Sequence, residues 1–274
     1  MLSFLKGLVL DPYPLRTVAL RFKRKFNLGT YAQRLLDGNV DRPHYGYCLY
    51  NGALLAKKLG LKRISVLEFG VAGGRGLINL EYHAREIEQA VEIDIDIYGF
   101  DTGKGLPHPV DYRDLPYHWK EGFFAMDSEK LQARLSKAKL VVGDIGDTSQ
   151  KFFTEYEPAP IAAIMHDFDF YSATAVALKM FDAPEKYFLP RVFCYFDDIV
   201  GSETELYNDY TGERLAINEF NRTHETKKLA TAYHFLTHRI RETWHQQIFI
   251  YHDFRHSRYN DFVSDGREQL PLTD

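Results

Sequence analysis

The sequence predicts an α/β protein: a doubly wound, mostly parallel sheet of six or seven strands behind an N-terminal helical extension. Three observations predict it. The run 64–69 is mostly apolar and breaks into Gly70-Val71-Ala72-Gly73-Gly74-Arg75-Gly76, after which Leu77, Leu80, Ala84 and Ile87 recur at helical spacing. Four more short apolar runs, 95–100, 140–142, 161–166 and 192–196, end in polar or glycine residues, as strands buried on both faces of a parallel sheet do. Helix-patterned segments at 77–90, 147–156, 173–181 and 214–222 fit between or after them.

Taken in order, residues 1–43 stand apart. They carry Arg16, Arg21, Lys23, Arg24 and Lys25 with apolar residues between them, in the pattern of an amphipathic helix. This extension reads as a lid, a dimer arm that would make a homo-oligomer, or a plain solvated surface. Residues 44–274 then form one domain. The segment 50–61 reads as a helix with Leu54, Leu55 and Leu59 inward, ending near Gly60. Six Pro and Gly residues and several aromatics make 103–122 a long loop at the edge where ligands bind. Late in the chain 247–251 reads as a last strand, with 233–235 as a further short one.

Composition narrows the function classes. A net charge of −4 over 274 residues favours neither nucleic acid nor an anionic membrane. No apolar run approaches the roughly 18 residues of a membrane span, and Lys6 and Asp11 interrupt the apolar N-terminus, which argues against a signal peptide. Two distant cysteines, Cys48 and Cys194, suggest free thiols and a cytoplasmic protein. The 18 Tyr, 20 Phe and 2 Trp read first as a bulky core, and are compatible with a sugar-stacking surface.

The glycine turn does not meet the dinucleotide fingerprint: the pattern is Gly-x-Ala-x-x-Arg from Gly70 and Gly-x-Gly-x-x-Asn from Gly74. Glu68 precedes it instead, and a carboxylate there disfavours phosphate. S-adenosylmethionine, with a sulfonium, an amino group and no phosphate, suits such a corner. Asp101 after the second strand could accept from ribose hydroxyls, and Asp144 after the third could face an adenine edge. Each alone could equally be a helix cap. Three acids on three successive strand ends describe an adenosine pocket without phosphate contacts.

The fourth strand ends in His166-Asp167-Phe168-Asp169 and the fifth in Phe196-Asp197-Asp198. Four carboxylates at neighbouring strand tips repel unless protonated or bound to a cation. Hard oxygen ligands suit Mg²⁺, Mn²⁺ or Ca²⁺. The alternative is that Asp169 or Asp198 caps a helix and the others are solvated. His166 should point away from the acids by strand alternation.

At these residues the chain resembles the macrocin O-methyltransferase (TylF-type) family of class I, Rossmann-like, S-adenosylmethionine-dependent methyltransferases. The resemblance rests on Glu68-x-Gly70-Val71, on Gly99-Phe100-Asp101-Thr102 with Gly105-Leu106-Pro107, and on Gly143-x-x-x-Asp147-Thr148. It continues in Asp167-x-Asp169-x-Tyr171-x-x-Thr174, Asp197-Asp198 and Gly212-Glu213-Arg214-x-Ala216-x-x-Glu219-Phe220, spanning roughly residues 44–225. It implies O-methylation of a small-molecule hydroxyl, usually on a sugar-containing natural product, with Asp167, Asp197 and Asp198 on a divalent metal and Asp169 as general base. The methyl donor would lie against Glu68, Gly70, Val71, Ala72, Gly73, Gly74, Asp101, Thr102, Gly143, Asp144 and Asp167. The chain departs from the family at Phe188-Leu189-Pro190-Arg191, where a Gly-Gly turn is usual, and over 128–139. Two rivals stand beside this reading: a glycosyltransferase using Asp167-Phe168-Asp169 on a nucleotide diphosphate, and a non-catalytic donor-binding protein.

Overall fold

The computed structural model describes residues 28–238 and 241–264, with Val18, Phe22, Lys23, Lys25 and Phe26. Most of the basic N-terminal cluster lies outside the described residues. Helices α1 (Tyr31–Leu36) and α2 (Pro43–Lys58) lead into strand β1 (Arg63–Phe69), helix α3 (Arg75–Val91) and β2 (Asp94–Asp101). A short α4 (Ser128–Gln132) precedes β3 (Lys139–Val142), α5 (Ile145–Glu155), β4 (Ile161–His166) and α6 (Tyr171–Leu178). Then come β5 (Phe188–Phe196), α7 (Gly212–Thr223), β6 (Lys227–Thr231) and β7 (Ile248–Asp253).

The seven strands lie in the order β3-β2-β1-β4-β5-β7-β6. The first five are parallel and β7 runs antiparallel between β5 and β6. The order reverses between β1 and β4, and there the carboxyl ends of the strands open a crevice. Helices α2 and α3 pack on one face of the sheet, α5, α6 and α7 on the other. All of β1 after Arg63 is buried, as is all of β4. Each apolar side chain so buried stabilises by about 1.5–3 kcal/mol, which fixes the strand register from which the acids project.

Some elements differ from their sequence-based bounds. Helix α2 begins at Pro43, not near residue 50, because proline at the first helical position needs no N–H partner. The second late strand is Lys227–Thr231, and Tyr233–Thr237 is a 3₁₀ turn. Strand β5 takes in Phe188, Leu189, Pro190 and Arg191; its pairing with β4 shifts register there, a bulge that accommodates a proline with no N–H to donate. Cys48 and Cys194 are buried free thiols. No helix among the described residues is long and apolar enough to cross a membrane.

Candidate active site

The turn after β1 is held by backbone contacts that only glycine permits. Gly70 has φ +80°, its N–H donates to the Phe100 carbonyl at 2.9 Å, and a Cβ on it would stand 1.7 Å from the carbonyl oxygen of Asp167. The donor-type turn and the acid-bearing strand end therefore touch. Asp101, at the end of β2, ties the turn from the other side: it accepts from the Ala72 N–H at 2.8 Å and the Gly103 N–H at 2.6 Å. Thr102 folds the following loop by donating to the Gly105 carbonyl at 2.8 Å. Asp144 is the N-cap of α5, accepting from the Gly146 N–H at 2.7 Å.

Glu68 lies deeper. Its side chain is buried beneath α3, with Oε1 only 1.8 Å from where a Cβ on Gly76 would stand. The Tyr45 hydroxyl donates to Oε1 at 2.9 Å, and Oε2 has no hydrogen-bond partner among the described residues. Burial pushes the Glu68 carboxyl up to about 8, against the opposing pull of Tyr45 and Arg42.

The four aspartates meet at the ends of β4 and β5. Asp169 sits in the left-handed region at φ +61°, a conformation costing a non-glycine residue about 1–2 kcal/mol. Its N–H donates to Asp198 Oδ2 at 2.8 Å. The Tyr207 hydroxyl donates to Asp198 Oδ1 at 2.7 Å, and the Asp198 N–H donates to the buried Glu213 at 3.0 Å. Asp198 thus ties strand, loop and α7 together. Asp197 accepts from the Tyr195 hydroxyl, while its backbone N–H donates to the His166 carbonyl at 2.9 Å. The side chains of Asp167 and Asp169 accept no hydrogen bond from the described residues.

Electrostatics follow from this crowding. Burial, then Asp198 and Asp197, push the Asp169 carboxyl up to about 9; burial, then the other three acids and Glu68, push Asp167 well above the carboxylate range. Asp198 rises to about 7 through burial and Asp197, partly offset by its two donors. None of the four forms an ion pair within the described residues. Arg42, in the left-handed conformation at the start of α2, lies over the Tyr45 ring at 5.1 Å. Burial works against its charge, but Tyr45, Glu68, Asp167 and Asp197 together outweigh that and hold the guanidinium above its usual range.

The donor set, oxygen only and short of cations, has the chemistry of a hard divalent ion site. Among the described residues, however, no group of three or more His, Cys, Asp or Glu side chains is arranged so that it could hold a metal ion.

A cleft of about 560 Å³ joins these parts. Of the residues singled out in the sequence, Gly70, Ala72, Asp101, Thr102, Gly143, Asp144, Asp167, Asp169, Asp197 and Asp198 line it. Glu68, Val71, Gly73 and Gly74 are not among its lining residues, the first, second and fourth being buried and Gly73 exposed. His166 turns into the core, stacked on Phe196 at 4.2 Å, and burial pushes it down to about 3, leaving it neutral. Sequence reading passed over Arg42, Asp114, Trp119, Glu205 and Tyr207. Asp114 is fully buried and accepts from the Val110 N–H, the Ser172 N–H at 2.8 Å and the Ser172 hydroxyl, fastening the long loop to the start of α6. A carboxylate buried in a Pro/Gly-rich loop has no signature in sequence; only the Tyr171-Ser172 helix start hinted at its partner.

No protein-family model and no curated protein sequence matches the chain. Among solved structures it is similar to CalS11, a calicheamicin methyltransferase, at 19% identity over 88% of this chain and 93% of that one, with a TM-score of 0.52. It is also similar to the O-methyltransferase NovP, at 14% identity over 78% and 81% of the two chains, with a TM-score of 0.53. The fold is that of the class I methyltransferases: a Rossmann-like sheet with the seventh strand inserted antiparallel.

Proposed function

We propose that this protein is an S-adenosylmethionine-dependent O-methyltransferase of the macrocin O-methyltransferase type, acting on a hydroxyl of a small, sugar-containing molecule. One observation carries the reading: a single cleft runs from the Gly70–Asp101 corner to a buried carboxyl, Asp169, whose side chain accepts no hydrogen bond from the described residues. The donor would lie against Gly70, Ala72, Asp101, Thr102, Gly143 and Asp144, with Glu68, Val71, Gly73 and Gly74 shaping the turn. A glycosyltransferase reading of Asp167-Phe168-Asp169 is disfavoured, because among the described residues no Lys or Arg lines the cleft to meet a diphosphate.

In the reaction the acceptor hydroxyl gives its proton to Asp169, its oxygen forms a bond to the methyl carbon, and the carbon–sulfur bond breaks with its electron pair passing to sulfur. Asp198 holds the Asp169 backbone in place, and Asp114 holds the loop that closes over the acceptor. Holding both reactants in line supplies a proximity advantage. Asp167, Asp197 and Asp198 would hold Mg²⁺ or another divalent cation, which when bound lowers the pKa of a coordinated hydroxyl. Arg42 ends the 1–43 segment beside the acids, which supports a lid role for that segment. The buried thiols Cys48 and Cys194 fit a cytoplasmic location.

Calorimetry with S-adenosylmethionine tests the proposal. The expected result is saturable binding, and transfer activity that falls on chelation with EDTA and returns with Mg²⁺. Absence of binding at near-millimolar donor would sink it.

A further inference from the structure

The titratable side chains of the cleft wall are nearly all acids. Seven carboxyl groups line it, from Asp101 and Asp144 at one end to Glu205 at the other, and among the described residues no Lys or Arg does. Its one basic side chain, His108, lies 3.3 Å from Glu121. At the donor end the acids are satisfied by backbone amides. At the other end Asp169 is 7% exposed, borders the cleft and accepts no hydrogen bond from the described residues.

The same cleft is lined by two aromatic rings, Trp119 and Phe124, and by the Glu205 carboxylate. The Ser202 N–H bonds the Glu205 side chain, and this holds its carboxyl below the usual range, so Glu205 is ionised. The Tyr117 hydroxyl donates to the Glu205 carbonyl at 2.6 Å, which draws the loop bearing Trp119 and Phe124 to the 201–210 segment. Those two rings meet edge to face at 5.7 Å between centroids, and both line the cleft with Glu205. Aromatic faces beside a carboxylate attract an ammonium, whereas a phosphate would meet only like charge.

From this juxtaposition we infer that the acceptor carries a protonated amine and no phosphate: a hydroxyl compound of the amino-sugar or amino-alcohol class. Its ammonium is held between Glu205 and the Trp119–Phe124 wall, and its hydroxyl is turned toward Asp169. The inference rests on the methyl-transfer reading above and specifies its substrate.

The test measures S-adenosylhomocysteine binding first, by calorimetry; absence of binding fails the methyl-transfer reading and this inference with it. With binding in place, methyl transfer is followed on a matched panel: kanamycin A and 2-deoxystreptamine, their N-acetylated forms, and the phosphate-bearing glucose 6-phosphate and UDP-glucose. The expected result is turnover of amine members, kcat/KM lowered about tenfold or more by N-acetylation, and none for the phosphates. In Glu205→Gln, KM for amine members should rise about tenfold while affinity for S-adenosylhomocysteine is unchanged. Turnover of a phosphate-bearing member, equal turnover of amine and N-acetyl forms, no turnover of any amine member, or an unmoved KM in Glu205→Gln would each overturn the inference. Each of those results would leave donor binding, and so the methyl-transfer reading, intact.

Discussion

The two ends of the cleft treat their acids in opposite ways. At the β2–β3 end, Asp101 receives two backbone N–H groups and Asp144 caps a helix, so both carboxylates are satisfied by the fold. At the β4–β5 end, the side chains of Asp167 and Asp169 accept no hydrogen bond from the described residues and are pushed upward by burial and by the neighbouring acids. The difference teaches what each end is for. A carboxylate met by fixed amides is a clamp that holds its charge steadily, whereas one left incomplete stands ready to take a proton or a cation.

The sharpest way to break this contrast is Asp169→Asn. The variant should lose about a hundredfold or more in transfer rate, the range for a general base, while donor affinity stays within about twofold. Normal transfer in a rate assay would remove Asp169 from its role. Gly70→Ala attacks the contact between the two ends: a methyl group driven into the Asp167 carbonyl, at a positive φ, should destabilise by about 3 kcal/mol or more. Thermal unfolding should register this as a fall of roughly 6–12 °C.

Glu68→Gln sharpens the comparison from outside the cleft lining. The folded-state pKa of Glu68, about 8, lies above that of an unfolded glutamate, about 4.3. The folded chain therefore keeps a proton that the unfolded chain releases between those values. The stability this contributes is complete below about pH 4 and is lost as pH rises through about 8, on the order of a few kcal/mol in all. In the glutamine variant, denaturant unfolding across pH 5–8 should give a flatter profile. Asp101→Asn is the mildest. One oxygen instead of two leaves an amide N–H of the turn facing an NH₂ group, which should weaken donor binding about tenfold in calorimetry with little effect on the fold.

How far the sequence could be read depended on whether a signal was local. The β1 turn was legible because strand, glycines and helix lie within a dozen residues, and the acid pairs because each follows its own strand. Strand β6 was not, since Lys227 and Lys228 beside a single buried Leu229 show no alternation, as charged edge strands often do not. Arg42 was hidden for another reason. Its neighbours Glu68, Asp167 and Asp197 come from three strand ends, and only the folded sheet brings them to one place. The same is true of Tyr45 under Glu68 and of Tyr207 on Asp198.

Asp114 has a consequence for the diversity this architecture can support. The long loop bearing Trp119 is latched by that one carboxylate to Ser172, three residues beyond Asp169. The loop past the latch is then the part whose side chains can be exchanged, provided that Tyr117 keeps its bond to the Glu205 carbonyl. A grafted loop that keeps an aspartate to meet the α6 start would present a new acceptor wall beside Asp169, whereas one that loses it would be left with the Tyr117–Glu205 bond alone to hold it toward the proton-accepting group it is meant to serve.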